Sequence, residues 1–143
     1  MLIDPNPSIQ IGIRGSTVLP DLWAFSRESG MRMVTMDELY ESGTDAIIEE
    51  ARRIVGDGPT YISFDVDGLD AVFAPGTGTP EVGGFSTYEA LRMLRGLQGL
   101  NLVGGDVVEI SPPFDPSGIT ALTGAALMFE ILCLVADSHA AHK

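Results

Sequence analysis

The sequence predicts an α/β domain with a mainly parallel sheet, and two observations carry that reading. Segments of strand character alternate with segments of helical spacing along the chain, an order that favours parallel strands joined by crossover helices. Glycine and proline, 17 and 9 of 143 residues, cluster beyond two of the strand segments, which is where α/β folds place their ligands. A hydrophobic share of 45% with 20% charged residues supplies a buried core and excludes a disordered chain. At this length one domain is expected.

The elements follow in order. Ser8–Ile13 (SIQIGI), bounded by Pro7 and Gly15, reads as a strand. Pro20 opens a helical stretch through Leu22, Trp23, Phe25 and Ser26, which Gly30 stops. Met31–Thr35 alternates apolar and polar residues as a second strand, and Asp37, Glu38 and Leu39 begin a short turn of helix. Thr44–Val55 is an amphipathic helix with Thr44 as its N-cap and Gly56 at its end. Thr60–Val66 (TYISFDV) is β-branched and aromatic, hence a strand, and runs into a loop rich in Gly and Pro that ends at Gly84. Ser86 with Glu89 three residues on has the spacing of a capping box at the head of the next helix. A strand ending in VVEI lies within Leu100–Ile110 and is closed by Ser111, Pro112 and Pro113. The last helix runs from about Ile119 to Asp137, and the residues from 138 onward are expected to fray.

Charge narrows the partners. Eight Lys and Arg against 20 Asp and Glu give a net charge of −12, which repels nucleic acid and suits a cation. The single cysteine, Cys133, sits among Ile131, Leu132, Leu134 and Val135, so it reads as an inert buried thiol in a reducing compartment, by default the cytoplasm. The N-terminus MLIDPNPS lacks the basic and apolar regions of a secretion signal. The apolar run Leu122–Ala136 is broken by Glu130 and falls short of the roughly 20 residues that span a bilayer. It is expected to be a buried helix, and no membrane partner is expected.

Two places carry chemistry. Asp65 and Asp67, two apart on a strand, would share one face at its carboxyl end. Two carboxylates so close need a cation, a shared proton or solvent between them, and paired oxygens suit hard ions such as Mn²⁺ and Mg²⁺. Alone, such a pair is more often strand-end turn chemistry, and Asp70 reads as a cap of that turn. A calcium-loop reading fails on spacing, because the fifth, sixth and twelfth positions counted from Asp65 are Leu69, Asp70 and Gly76. Glu109, in VVEI, is an acid at a strand end. It reads either as one half of an ion pair to an arginine or as a receptor for a guanidinium, with which a carboxylate makes a bidentate pair. PGTGTP, residues 75–80, lacks the lysine and hydroxyl of a phosphate loop. His139 and His142, spaced as HxxH, read as a loose end.

Taken together, SFDVDGLDAVFAPGTGTPEVGG (Ser63–Gly84) and DVVEISPPFDPSGITAL (Asp106–Leu122) resemble the C-terminal half of the ureohydrolases, the arginase and agmatinase family. IQIGIRGS and the closing helix fit the same family, and IGIRGS with EISPPFDPSG favours the agmatinase and guanidinobutyrase subgroup. The resemblance implies an incomplete arginase-like three-layer α/β/α fold, with the whole chain, 1–143, as the C-terminal part of one domain. It implies two manganese ions and hydrolysis of a cationic guanidino compound, agmatine or 4-guanidinobutyrate, to an amine and urea. It also implies Asp65 and Asp67 as metal ligands, Glu109 as the guanidinium receptor with Thr79 as a lesser substrate contact, and a homo-oligomer in complete members. Two departures stand out. Ala71 replaces the family's usual proline, and the upstream GGDHS-like and DAHxD-like metal-binding segments are absent. The isolated chain is therefore expected to be inactive. An alternative of another class is a non-catalytic module that assembles with intact relatives, and a metal-binding protein of unrelated role is a third.

Overall fold

The computed structural model describes residues 4–15 and 22–141. It divides into two compact units, residues 1–56 and 57–143, each built on one pair of parallel strands rather than on one continuous sheet.

In the first unit, β1 (Ile9–Ile13) pairs in parallel with β2 (Arg32–Thr35), with a register shift between Ile11 and Ile13. Between them lies α1 (Ala24–Glu28), five residues with none buried. The predicted helix start at Pro20 lies outside the described residues. Thr35 ends β2 and caps α2 (Met36–Ser42), its hydroxyl accepting the Glu38 N–H at 3.2 Å, so the single turn expected there becomes a seven-residue helix. α3 (Thr44–Val55) has the predicted bounds, but Gly43 takes the cap position and Thr44 is already helical. Its apolar face brings Ile47, Ile48 and Ala51 into a core with Val34, Met36 and Leu39. Arg32 ties these elements together: its Nε donates to Glu50 at 2.8 Å, and its guanidinium also bonds Glu38.

In the second unit, β3 (Thr60–Asp65) pairs in parallel with β4 (Leu102–Val108), with Asp65 opposite Val108 at the carboxyl ends. α4 (Thr87–Gly96) opens on the predicted capping box, complete on both sides between Ser86 and Glu89. α5 (Ile119–Ala141) lies on the sheet through Thr120, Gly124, Leu127, Ile131, Leu134 and Ser138, all buried. Gly105 makes that approach possible. A Cβ there would sit 2.6 Å from Ile131 and 2.9 Å from the Ile62 carbonyl oxygen, so any larger residue would push the helix off the strand.

Three sequence expectations need correction in α5. Its end does not fray at 138: the Ser138 hydroxyl is buried and accepts the Leu102 N–H at 2.8 Å, which holds the helix against β4 as far as Ala141. At 23 residues the helix is also long and apolar enough to cross a bilayer by length and composition, because helical residues continue on both sides of the run read from the sequence. Cys133 is exposed rather than buried, since it falls outside the inner stripe.

Ser138→Ala leaves the buried Leu102 amide only its bond to the Leu100 carbonyl at 2.9 Å and is expected to cost about 0.5–1.5 kcal/mol, read as a lower urea midpoint at unchanged slope. A second expectation concerns acid. The bond from Arg32 holds the Glu50 carboxyl below the usual range, against the opposing effect of burial. A depressed carboxyl stabilises the fold above its unfolded pKa and loses that contribution as pH falls through the folded value. The first unit should therefore weaken below about pH 4. Arg32→Met should remove about 0.5–1 kcal/mol at pH 7 and progressively less as pH falls through the acid range, followed by the fluorescence of Trp23, the sole tryptophan of the chain.

Candidate active site

The site lies at the paired carboxyl ends of β3 and β4. Asp65 is the last residue of β3, and its Oδ1 accepts the Asp67 N–H at 2.8 Å, which starts a 3₁₀ turn over Val66–Gly68. Asp67 therefore sits in the turn and not on the strand, so its relation to Asp65 is set by this hydrogen bond rather than by strand alternation. Asp65 is exposed, and Asp67 is half-buried.

Hydroxyls position Asp67. Thr77 donates to its Oδ1 and Thr79 to its Oδ2. Thr77 is almost fully buried, at 2% exposure, whereas Thr79 is exposed. Thr79, read from the sequence as a substrate contact, thus has its hydroxyl on Asp67. Thr77 was missed altogether, although the Thr-Gly-Thr spacing of PGTGTP was a signal that two hydroxyls could reach one acceptor.

The loop that carries these threonines is clipped at its base and at its tip. Asp70 accepts from the N–H groups of Val72 at 3.0 Å and Gly83 at 2.7 Å, while Leu69 and Phe85 form an isolated bridge. Asp70 therefore does more than cap its own turn. At the tip, the Gly76 N–H donates to Thr120 Oγ1 and the Ser111 N–H donates to the Gly76 carbonyl, both at 2.8 Å. Asp115 backs Gly76 so closely that a Cβ on residue 76 would lie 2.3 Å from the Asp115 Cβ. Asp115 Oδ2 in turn accepts the Ala121 N–H in the first turn of α5 at 2.9 Å. Thr120 and Asp115 are buried and were not legible as site residues, because their role depends on a contact more than 30 residues distant in sequence.

Glu109 follows β4 directly. The strand stops at Val108, and Glu109 is exposed, with φ at 66°. The strand therefore ends before the Glu109 and Ile110 of the predicted VVEI end, and the chain turns at Glu109 through a left-handed backbone. Glu109 is the one non-glycine residue with positive φ among the described residues, a conformation costing on the order of 1–2 kcal/mol for a residue with a Cβ. Such strain concentrates at functional positions.

The model of the arginase family matches residues 1–134. The chain belongs to the arginase family. It is 60% identical over 139 residues to the guanidinopropionase of Pseudomonas aeruginosa, a match covering 97% of this chain and 44% of that protein. To the mitochondrial agmatinase of Gallus gallus it is 48% identical over 134 residues, covering 94% of this chain and 39% of that one. In structure it matches the proclavaminate amidino hydrolase of Streptomyces clavuligerus with a TM-score of 0.91 at 43% identity, over 96% of this chain and 46% of that one. The arginase-family chain described here thus spans less than half the length of each of these relatives. Its arginase-like fold is an incomplete set of the family's parallel strands and helices.

The family fold implies a binuclear metal site, typically manganese. Asp65 and Asp67 fit a hard divalent cation in kind, being carboxylates at one strand end. In number they fall short, since no group of three or more His, Cys, Asp or Glu residues placed to hold an ion occurs among the described residues. His139 lies exposed on α5, and His142 is outside the described residues.

The Gly76 clamp yields a stability test. Thr120→Val keeps the shape of the side chain and removes the acceptor from a buried amide, at a cost of about 1–3 kcal/mol. Faster hydrogen exchange at Gly76 and Thr77 than at the β3 amides would locate the loss in the loop.

Proposed function

We propose that this chain supplies the guanidinium receptor and part of the metal-binding set of a manganese-dependent guanidino hydrolase, which converts agmatine or 4-guanidinobutyrate to an amine and urea. The observation that carries the reading is the juxtaposition of Asp65 and Glu109 at the carboxyl ends of two paired parallel strands, with Asp67 held beside Asp65 by two threonine hydroxyls. The names of the relatives, guanidinopropionase, guanidinobutyrase and agmatinase, support the substrate class.

Each residue has a definite task in this reading. Glu109 accepts two N–H bonds from the guanidinium, a charge-assisted pairing that fixes the plane of the group. Its left-handed backbone sets the direction in which the side chain leaves the strand end. Asp65 and Asp67 offer oxygens to manganese. Bound manganese would supply Lewis acidity and an acidified water. Thr77 and Thr79 keep the Asp67 carboxylate from rotating, so its oxygens are presented in one orientation.

Two carboxylates bind a divalent ion weakly, and the isolated chain is therefore expected to release no urea. The test is a urea assay on the purified chain with Mn²⁺ and agmatine, 4-guanidinobutyrate or 3-guanidinopropionate. Manganese-dependent turnover by the chain alone would overturn the expectation.

A further inference from the structure

Two buried side-chain oxygens have no hydrogen-bond partner among the described residues, Asp106 Oδ1 and Asp115 Oδ1. Asp106 is half-buried, and the Tyr61 hydroxyl holds its other oxygen at 3.0 Å. Asp115 is the costlier case. It is 7% exposed, and its one side-chain hydrogen bond among the described residues is the one that Oδ2 accepts from the Ala121 N–H. That bond does not need a carboxylate, since an asparagine or serine would accept the same N–H without burying a charge. A carboxylate differs from both in having two oxygens that only accept. The second one calls for a donor, because a buried acceptor left without one is costly.

Thr120 has the complementary need. It is fully buried, and its Oγ1 accepts the Gly76 N–H at 2.8 Å. A hydroxyl that accepts still has a proton to give, and among the described residues no bond takes it. The two groups meet at Gly76. A Cβ on that residue would lie 2.9 Å from Thr120 Oγ1 and 2.7 Å from Asp115 Cγ, so hydroxyl and carboxyl flank one point that the glycine leaves open. A small rotation of the carboxyl about its Cβ–Cγ bond brings Oδ1 to the hydroxyl. The rival acceptor is the carbonyl of Pro116, four residues back, where a helical threonine ordinarily gives its proton.

We infer that Asp115 is a positioning residue for the site: its Oδ1 takes the Thr120 hydroxyl proton, and Thr120 so oriented turns a lone pair to the Gly76 N–H. A hydroxyl that donates to a carboxylate is polarised and accepts more strongly in turn. The series runs from Asp115 through Thr120 to Gly76, and from the neighbouring Thr77 to Oδ1 of Asp67. One acid thereby fixes the direction of another through the intervening loop. The inference rests on the proposed function for the use made of Asp67.

The test is a double-mutant cycle on the chain itself, unfolded in urea without metal or substrate. Asp115→Asn keeps the shape of the side chain but has one acceptor oxygen, so it serves Ala121 or Thr120 and not both. Thr120→Val removes the hydroxyl. Asp115→Asn is expected to lower the folding equilibrium constant about threefold or more further in the unaltered chain than in the Thr120→Val background. Asp115→Ser, which also offers one acceptor, takes its place should the asparagine variant misfold. Equal losses in the two backgrounds, the result if the proton goes to Pro116, would overturn the inference. A second reading is the ¹³Cγ resonance of Asp67 in the folded chain, which lower global stability alone does not move. It should shift in Asp115→Asn and Thr120→Val and stay in place in Thr120→Ser, which keeps the hydroxyl. An unmoved resonance in Asp115→Asn, or a shift in Thr120→Ser as large as in Thr120→Val, would overturn the positioning role. Because both readings are taken without metal or substrate, a urea assay that refutes the catalytic proposal leaves them standing, and a failed cycle leaves that proposal untouched.

Discussion

Gly76 gives its N–H to Thr120 and its carbonyl to the N–H of Ser111, and this pair of bonds ties the loop after β3 both to the first turn of α5 and to the segment after β4. The loop has no regular structure of its own between Asp70 and Phe85 beyond turns and bends, so its shape depends on such fixed points. With base and tip held, Thr77 and Thr79 are brought onto Asp67. A carboxylate whose two oxygens both accept hydroxyls cannot turn without breaking a bond, and one of the two donors is buried. The orientation of Asp67 is thus decided nine residues away along the chain, at a glycine that no side chain could replace without meeting Asp115.

What could be read in the sequence was whatever depended on neighbours in the chain. The capping box of Ser86 and Glu89 and the bounds of α3 follow from local pattern, and the structure has both. Asp65 and Glu109 were placed at strand ends because β-branched runs stop there, and pairing of Asp65 with Val108 brings those ends together. What could not be read depended on contacts across the fold. The positive φ of Glu109 has no signature in VVEI, since glutamate is not a residue that favours that region. Ser138 looked like part of a polar tail because the amide it accepts from belongs to Leu102, 36 residues upstream. Cys133 looked buried because its neighbours are apolar, but on a helix that is apolar all round, apolar neighbours no longer tell inside from outside.

α5 shows the same tension in energetic terms. Its inner stripe is used fully, down to Gly105 of the strand beneath, which lets Ile131 approach. Its outer stripe leaves large side chains such as Phe129 and Leu132 in water. Each would gain about 1.5–3 kcal/mol on full burial, so three such residues hold more free energy than a typical hydrogen bond or surface ion pair in the unit. A helix composed in this way is matched to surroundings with cover on both sides, and a two-stranded sheet supplies cover on one.

The strain at Glu109 connects these observations. A left-handed glutamate persists only where flanking structure leaves it no relaxed alternative. On one side Val108 is fixed by its pairing with Asp65; on the other, two residues on, the Ser111 N–H is fixed on the Gly76 carbonyl. The chain between these anchors is short, and the left-handed turn at Glu109 is how it connects them. The glycine that orients Asp67 through the threonine loop therefore also constrains Glu109 through Ser111. The segments that carry Asp67 and Glu109 are thus both referenced to Gly76.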